Sequence, residues 1–303
     1  MSKIISNAVA KVNLTLRIIR DEIGAAGYHR IESLFVFLGG IYDTLELDDT
    51  APFNESSGAI AGVKNSDNSV RTAFKILVDN FDRPAPDVRI TKRLPICGGI
   101  GGGSSDAACF INSVFDYWSM SLQEKLSCVN MFDALGSDAK IFLYKYFWKC
   151  DSLYALGTGL DNPPVVINLP INGYVVLVNA GDTLSTKTAY EKFAGPYCDE
   201  IGVNEIMNQL RRNGVAYNSL AAAAIQLAPS IRSVLSNVRE TQPTLYGLSG
   251  SGPTCFGVYD SLPAAQVAAT LLRRSATFVA ISPLATYAGI TNPMPSTSSS
   301  SAL

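Results

Sequence analysis

Between residues 8 and 19 apolar and polar side chains alternate: Val12, Leu14, Leu16 and Ile18 against Lys11, Asn13, Thr15 and Arg17. A period of two predicts a strand and places Lys11 and Asn13 on one polar face. Most such faces are simply solvated, so the alternation alone assigns no chemistry. Gly24 to Gly27 reads as a turn, followed by Tyr28 and His29. Residues 31–37 are apolar, as a buried strand would be, and 43–48 read as another strand. The polar stretch 54–68 reads as a loop, 69–81 as a helix through Val70, Phe74, Leu77 and Val78, and 88–90 as a short strand. Ala107, Ile111, Val114, Phe115 and Trp118 share one face of a clear amphipathic helix, with Ser104, Ser105 and Asp106 at its start. A further helix is expected over 122–134, stopping near Gly136.

Residues 157–164 carry glycine and a Pro-Pro pair and are the candidate hinge. Beyond it the pattern predicts a strand at 173–179 and helices at 186–193, 203–213, 217–227 and 229–238. Strands follow at 246–248 and 254–259, then a helix at 263–274 and an extended piece at 277–281. Strands and helices mix without a steady βαβ rhythm, which favours an α+β fold over a doubly wound parallel sheet. The expected division is residues 1–156, 157–291 and a low-complexity, disordered tail at 292–303. No internal repeat is visible.

The strongest chemical signal is Leu94-Pro95-Ile96-Cys97-Gly98-Gly99-Ile100-Gly101-Gly102-Gly103-Ser104-Ser105-Asp106. Glycines let successive N–H groups turn inward, and no Cβ blocks a bulky anion. The loop opens directly into a helix, whose N-terminus favours negative charge. Ser104 and Ser105 offer hydroxyls to phosphate or to Mg2+. A plain helix-capping loop is the alternative, but five glycines in six positions argue for a phosphate cradle. The P-loop pattern fails because no lysine precedes the serines. The dinucleotide fingerprint fails because Ile100 and the triple glycine break its spacing.

Composition narrows the classes. The 303 residues are 47% hydrophobic with a formal charge of −2 and no basic block, which argues against a nucleic-acid partner. Six cysteines at 97, 109, 128, 150, 198 and 255 form no C-x-x-C pair, and there is one histidine. A structural zinc site is not expected, and a reducing compartment is. The N-terminus shows no signal peptide, and no apolar run reaches the ~18–20 residues that span a bilayer. The expectation is a cytoplasmic protein with no membrane partner, monomeric or homodimeric.

Pro95–Ala108 resembles the central motif of the GHMP kinases. Within them the match is closest to the 4-diphosphocytidyl-2-C-methyl-D-erythritol kinases. Ala10-Lys11-Val12-Asn13-Leu14, Gly27-Tyr28-His29, Lys92-Arg93-Leu94-Pro95, Leu135-Gly136-Ser137-Asp138 and Leu248-Ser249-Gly250-Ser251-Gly252 resemble further blocks, in order, over about residues 8–290. The resemblance implies two domains, the first like domain 2 of ribosomal protein S5 and the second ferredoxin-like. It implies ATP as co-substrate with Mg2+, and phosphorylation of the 2-hydroxyl of a CDP-linked methylerythritol.

The resemblance also implies roles. Lys11 and Asp138 take the catalytic positions, with the carboxylate accepting or orienting the hydroxyl proton and the ammonium beside it. A lone aspartate after glycine is otherwise more often a cap or turn residue. Asn68, Lys92, Pro95, Gly98, Gly99, Gly101, Gly102, Gly103, Ser104 and Ser105 are assigned to the nucleotide. Asn13, Tyr28, His29, Thr186, Tyr190, Gly250 and Ser251 are assigned to the substrate, with the aromatic rings stacking on cytosine. Three departures stand out. Ala139-Lys140 replace the family's small apolar residue and proline, and place a positive charge beside the presumed base. Residues 146–160 lack the usual Gly/Ala run. Cys97 stands where glycine or alanine is common. Other readings are a homoserine or mevalonate type of GHMP kinase, which has no base to stack, and a non-catalytic nucleotide-binding member of the fold.

Overall fold

A computed structural model describes residues 3–23, 29–54, 56–158, 162–169 and 171–284. The chain opens with two long antiparallel strands, β1 (Lys3–Ile23) and β2 (His29–Pro52). The alternation read at 8–19 is therefore the middle of a longer strand, and the pieces read at 31–37 and 43–48 are one. Three residues bulge out of β2 at Gly39–Ile41, between the pairs Ala10–Leu38 and Val9–Tyr42. The half continues with α1 (Ser69–Asn80), β3 (Pro86–Thr91), α2 (Gly102–Tyr117), α3 (Leu122–Ser127), α4 (Ser137–Trp148), β4 (Ser152–Thr158) and β5 (Val165–Val166). The sheet order is β1-β2-β4-β5, with β3 also paired to β2.

Two expectations change here. The helix read over 122–134 is only α3, opened by a Ser121–Glu124 capping box and followed by 3-10 turns to Leu135. Residues 137–148 form α4, which begins beyond Gly136 at φ +85°. The pairing of β5 with β4 carries the first sheet through Val166, past the expected division at 156/157.

The second half runs β6 (Gly173–Asn179), α5 (Thr186–Lys192), α6 (Gly202–Asn213), α7 (Ala221–Leu227), α8 (Ser230–Glu240), β7 (Leu245–Leu248), β8 (Cys255–Tyr259), α9 (Leu262–Leu272) and β9 (Phe278–Leu284). Its antiparallel sheet has the order β7-β8-β6-β9, the ferredoxin-like arrangement. The helix expected from 217 starts only at Ala221. Residues 217–219 instead run beside β1, with Leu16 N–H donating to Tyr217 O at 2.9 Å and Ser219 N–H donating to Leu16 O at 2.8 Å. They cover an edge that would otherwise expose unpaired backbone.

Among the described residues, three large apolar layers hold the assembly, beside a small cluster of Leu16, Ile18 and Leu220. One lies between the first sheet and α1, α2 and α4, through Phe110, Phe115, Phe132 and Phe142. A second joins the two halves, Val12, Leu14 and Leu34 meeting Val175, Leu177 and Phe256. The third packs β6, α8 and α9. Strand alternation builds this: Val175 and Leu177 face one layer, Val176 and Val178 the other. No described helix is long and apolar enough to cross a membrane. The tail at 292–303 lies outside the described residues.

Candidate active site

The glycine loop is wedged between the halves. Thr254 N–H donates to Gly98 O at 3.1 Å, Ser249 Oγ to Gly99 O at 3.2 Å, and Lys11 N–H to Ile100 O at 3.0 Å. Gly99 and Gly101 have φ of +75° and +74°. A Cβ on Gly99 would lie 2.5 Å from Gly252 O, and one on Gly101 would lie 2.6 Å from the Phe142 ring. Neither position accepts a side chain. Gly103 differs: it is exposed, and a Cβ there would meet only Ser69 Oγ at 3.6 Å. Helix α2 starts at Gly102, and Ser105 is the first residue to donate back into it, to Gly101 O at 2.8 Å. The N–H groups of Gly102, Gly103 and Ser104 therefore have no carbonyl within the helix.

The two serines part ways. Ser105 is fully buried and its Oγ lies 2.9 Å from Tyr146 Oη, so its hydroxyl ties α2 to α4 rather than facing the cradle. Ser104 is half-buried. Asn68, assigned to the nucleotide, is buried and caps α1: its oxygen accepts Val70 N–H at 3.0 Å and its amide donates to Gly58 O at 2.8 Å. Both its functions go to local structure. Pro95 packs under the loop, 2.9 Å from where Gly98 would carry a Cβ.

Lys92 lies at the cradle, with Nζ 3.5 Å from the Cβ position of Gly102. It is clasped by two fully buried carboxylates, Asp43 and, at 2.7 Å, Asp106. Asp43 also accepts the N–H groups of Arg93 and Leu94, fixing the approach to the loop. Burial pushes Asp106 up to about 7, against the pull of Lys92, and its Oδ1 has no hydrogen-bond partner.

The alternating polar residues of β1 are not solvated. Lys11 and Asn13 are each 2% exposed, because the loop, Phe142 and the 248–252 turn cover them. Lys11 Nζ reaches Asp138 Oδ2 at 3.2 Å, Asn13 Oδ1 at 2.6 Å and Gly99 O at 3.4 Å. Three donors meet three acceptors, over the ring of Phe35 at 5.7 Å. Asn13 is held in turn by Ser33, which accepts its amide at 2.8 Å. Asp138 stands in the first turn of α4 with its side chain 42% exposed, so one end of the pair is dry and the other open. Lys140 points elsewhere, to Asp133 at 2.8 Å, and adds no charge beside Asp138.

Beyond Asp138 lies an aromatic cluster. His29 stacks on Tyr190 with centroids 5.9 Å apart and planes 19° apart, and Phe193 meets it edge-on at 5.9 Å. Tyr197 closes the group at 6.1 Å. Burial pushes the Tyr190 hydroxyl up, and the Asp138 charge pushes it the same way. Tyr28 lies outside the described residues. Thr186 Oγ1 is 3.1 Å from Ser251 Oγ, and Gly250 lies against Lys11, so these three assigned positions converge. Phe193, Tyr197, Ser33 and Asp43 carried no recognisable motif. Among the described residues no group of three His, Cys, Asp or Glu side chains is placed to hold a metal.

The chain matches known proteins over most of its length. The family described as GHMP kinases N terminal domain matches residues 68–144, and that described as GHMP kinases C terminal matches residues 199–276. The chain is 32% identical over 282 residues to the 4-diphosphocytidyl-2-C-methyl-D-erythritol kinase of Paramagnetospirillum magneticum, covering 88% of this chain and 92% of that one. It is 29% identical over 290 residues to the protein of the same name from Anaplasma marginale, covering 88% and 91%. A crystal structure of a 4-(cytidine 5'-diphospho)-2C-methyl-D-erythritol kinase superposes with a TM-score of 0.74 at 24% identity, over 92% of this chain and 98% of that one.

Proposed function

The chain belongs to the GHMP kinases, together with the 4-diphosphocytidyl-2-C-methyl-D-erythritol kinases among them, and on that premise we propose that it transfers the γ-phosphoryl group of ATP to the 2-hydroxyl of that CDP-linked alcohol. The observation that carries the reading is the Lys11–Asp138 pair at 3.2 Å, set between a phosphate cradle and an aromatic cluster. Each neighbour supplies one half of a bimolecular reaction.

The nucleotide phosphates would lie over Gly102–Ser104, where free N–H groups and the helix N-terminus favour negative charge. Lys92 would stand behind them, and its two carboxylates fix its position. Mg2+ usually keeps several waters and takes one or two protein oxygens beside the phosphates. The half-exposed Ser104 hydroxyl fits that need, and Ser105, bonded to Tyr146, does not. The ion would neutralise charge on the transferring group.

The substrate's base would enter the aromatic cluster, where Tyr190, His29 and Phe193 offer a face and edges. That leaves the alcohol near Asp138. The carboxylate takes or orients the hydroxyl proton, and the hydroxyl oxygen bonds to the γ-phosphorus as the bond to the ADP oxygen breaks. The Lys11 ammonium, 3.2 Å from the carboxylate, stabilises negative charge on the attacking oxygen. Its burial strengthens that effect. An ADP-release assay across CDP-methylerythritol, homoserine and mevalonate tests the reading. Turnover with the first alone is expected, and turnover with either of the others alone would overturn it.

A further inference from the structure

Three segments distant in sequence meet beside the buried lysine: β1, residues 215–219, and the glycine turn 248–252. Asn218 joins them. Its backbone bridges to Leu16 of β1. Its amide nitrogen donates to two carbonyls of the turn, Leu248 O at 2.9 Å and Gly250 O at 2.8 Å. Its oxygen accepts Leu220 N–H at 2.8 Å. Three of the four hydrogen bonds open to an asparagine amide are thus made, all to backbone.

What Asn218 holds is the wall of the lysine's enclosure. Gly250 has φ +58°, and a Cβ there would lie 3.2 Å from Lys11 Nζ, 3.2 Å from Asn13 Oδ1 and 2.9 Å from Gly99 O. Ser249 Oγ accepts Asn13 N–H at 3.3 Å and donates to Gly99 O at 3.2 Å. The backbone of the turn therefore packs directly on the ammonium and on the residue that orients it. A displacement of tenths of an ångström would be passed to Lys11. Nothing else among the described residues bonds the Leu248 and Gly250 carbonyls from this side.

We infer that Asn218 is a positioning residue for phosphoryl transfer, acting through the 248–250 turn that confines the Lys11 ammonium against Asp138. It touches no reacting atom. The inference rests on the reading of Lys11 and Asp138 as the reacting pair. Geometry at a reacting centre is sensitive to small displacements, so the effect is expected in turnover rather than in binding.

The test uses the full chain and Asn218→Asp, which keeps the oxygen that accepts Leu220 N–H but sets a second oxygen against two carbonyls. The expected result is a loss in kcat of about 10-fold or more, with KM for ATP and for the alcohol within about 3-fold. Amide hydrogen exchange should quicken over residues 246–252 and stay unchanged over 102–117. If the aspartate variant does not fold, Asn218→Ser, whose hydroxyl can serve one carbonyl, should lose about 3-fold or more in kcat with the same local exchange pattern. Unchanged kcat in a folded variant overturns the inference. So does a loss of kcat without faster exchange at the turn, or faster exchange throughout the chain with both KM values raised. A protein that phosphorylates no alcohol overturns the functional reading instead, and exchange at the turn still decides whether Asn218 holds it.

Discussion

Gly103 separates a glycine that the fold needs from one that a ligand needs. In Gly103→Ala the new methyl would meet no protein atom closer than Ser69 Oγ at 3.6 Å, and the backbone there is already helical. Alanine in place of a helical glycine adds roughly 0.5–1 kcal/mol of stability. For a chain of this size that raises the Tm by about 1–4 °C. The same methyl points into open space at the start of α2, where the phosphates are placed. Overpacking one methyl costs about 1–3 kcal/mol, and each 1.4 kcal/mol is tenfold, so ATP should bind roughly 5- to 150-fold more weakly. Gly101→Ala is the contrast: its methyl would lie 2.6 Å from the Phe142 ring at φ +74°. Left-handed strain of about 1–2 kcal/mol plus overpacking of about 1–3 predicts a Tm lower by about 4–20 °C. Thermal unfolding without nucleotide and KM for ATP measure both variants. A Gly103→Ala protein that keeps its affinity for ATP would refute the placement of the phosphates.

Asp138→Asn should lower kcat by about 10²-fold or more while ATP affinity, measured by equilibrium binding, stays within about 3-fold; unchanged turnover would remove Asp138 from the mechanism. Tyr190→Ala should raise KM for the CDP-linked alcohol by about 10-fold and spare ATP, since the ring faces His29 and not the glycine loop; equal losses for both ligands would count against the base site. Asp106 holds its proton to about 7 when folded and releases it near 3.8 when unfolded, so its contribution to stability is present below about 4 and lost as pH rises through 7. Asp106→Asn should therefore gain stability relative to the natural chain as pH rises from about 4 to 7, seen in denaturant midpoints; parallel pH curves would contradict the burial argument.

The parts of this fold that sequence reading reached are those whose signal is local. Helix α1 shows its spacing, and α2 shows an apolar face after a glycine run. Helix α4 gave no such signal, because Ala139, Lys140, Ile141, Phe142, Leu143, Tyr144 and Phe147 are all buried and leave no polar stripe to set a period. The cost was the setting of Asp138, which stands in a helix's first turn and not in a plain turn. Residues 217–219 look helical in isolation, and only β1, some 200 positions away, draws them into extended pairing. The polar face of β1 shows the same limit. Its alternation was visible, but the burial of Lys11 depends on Gly99–Gly101 and on Gly250, which approach from both halves. The motif glycines were legible because close approach forbids a Cβ. Ser33, Asp43 and Asn218 were not, because a hydrogen bond across the fold leaves no spacing in the chain.

The central claim is that the Lys11–Asp138 pair directs the γ-phosphoryl group of ATP to one hydroxyl of a CDP-linked alcohol. Phosphorus NMR of the product formed from CDP-methylerythritol and ATP tests it most directly. The account predicts one new phosphate monoester, coupled to carbon 2 of the methylerythritol, made by the natural chain and at least about 10²-fold more slowly by Asp138→Asn. A monoester on another carbon, or the same ester formed equally fast by both proteins, would contradict it.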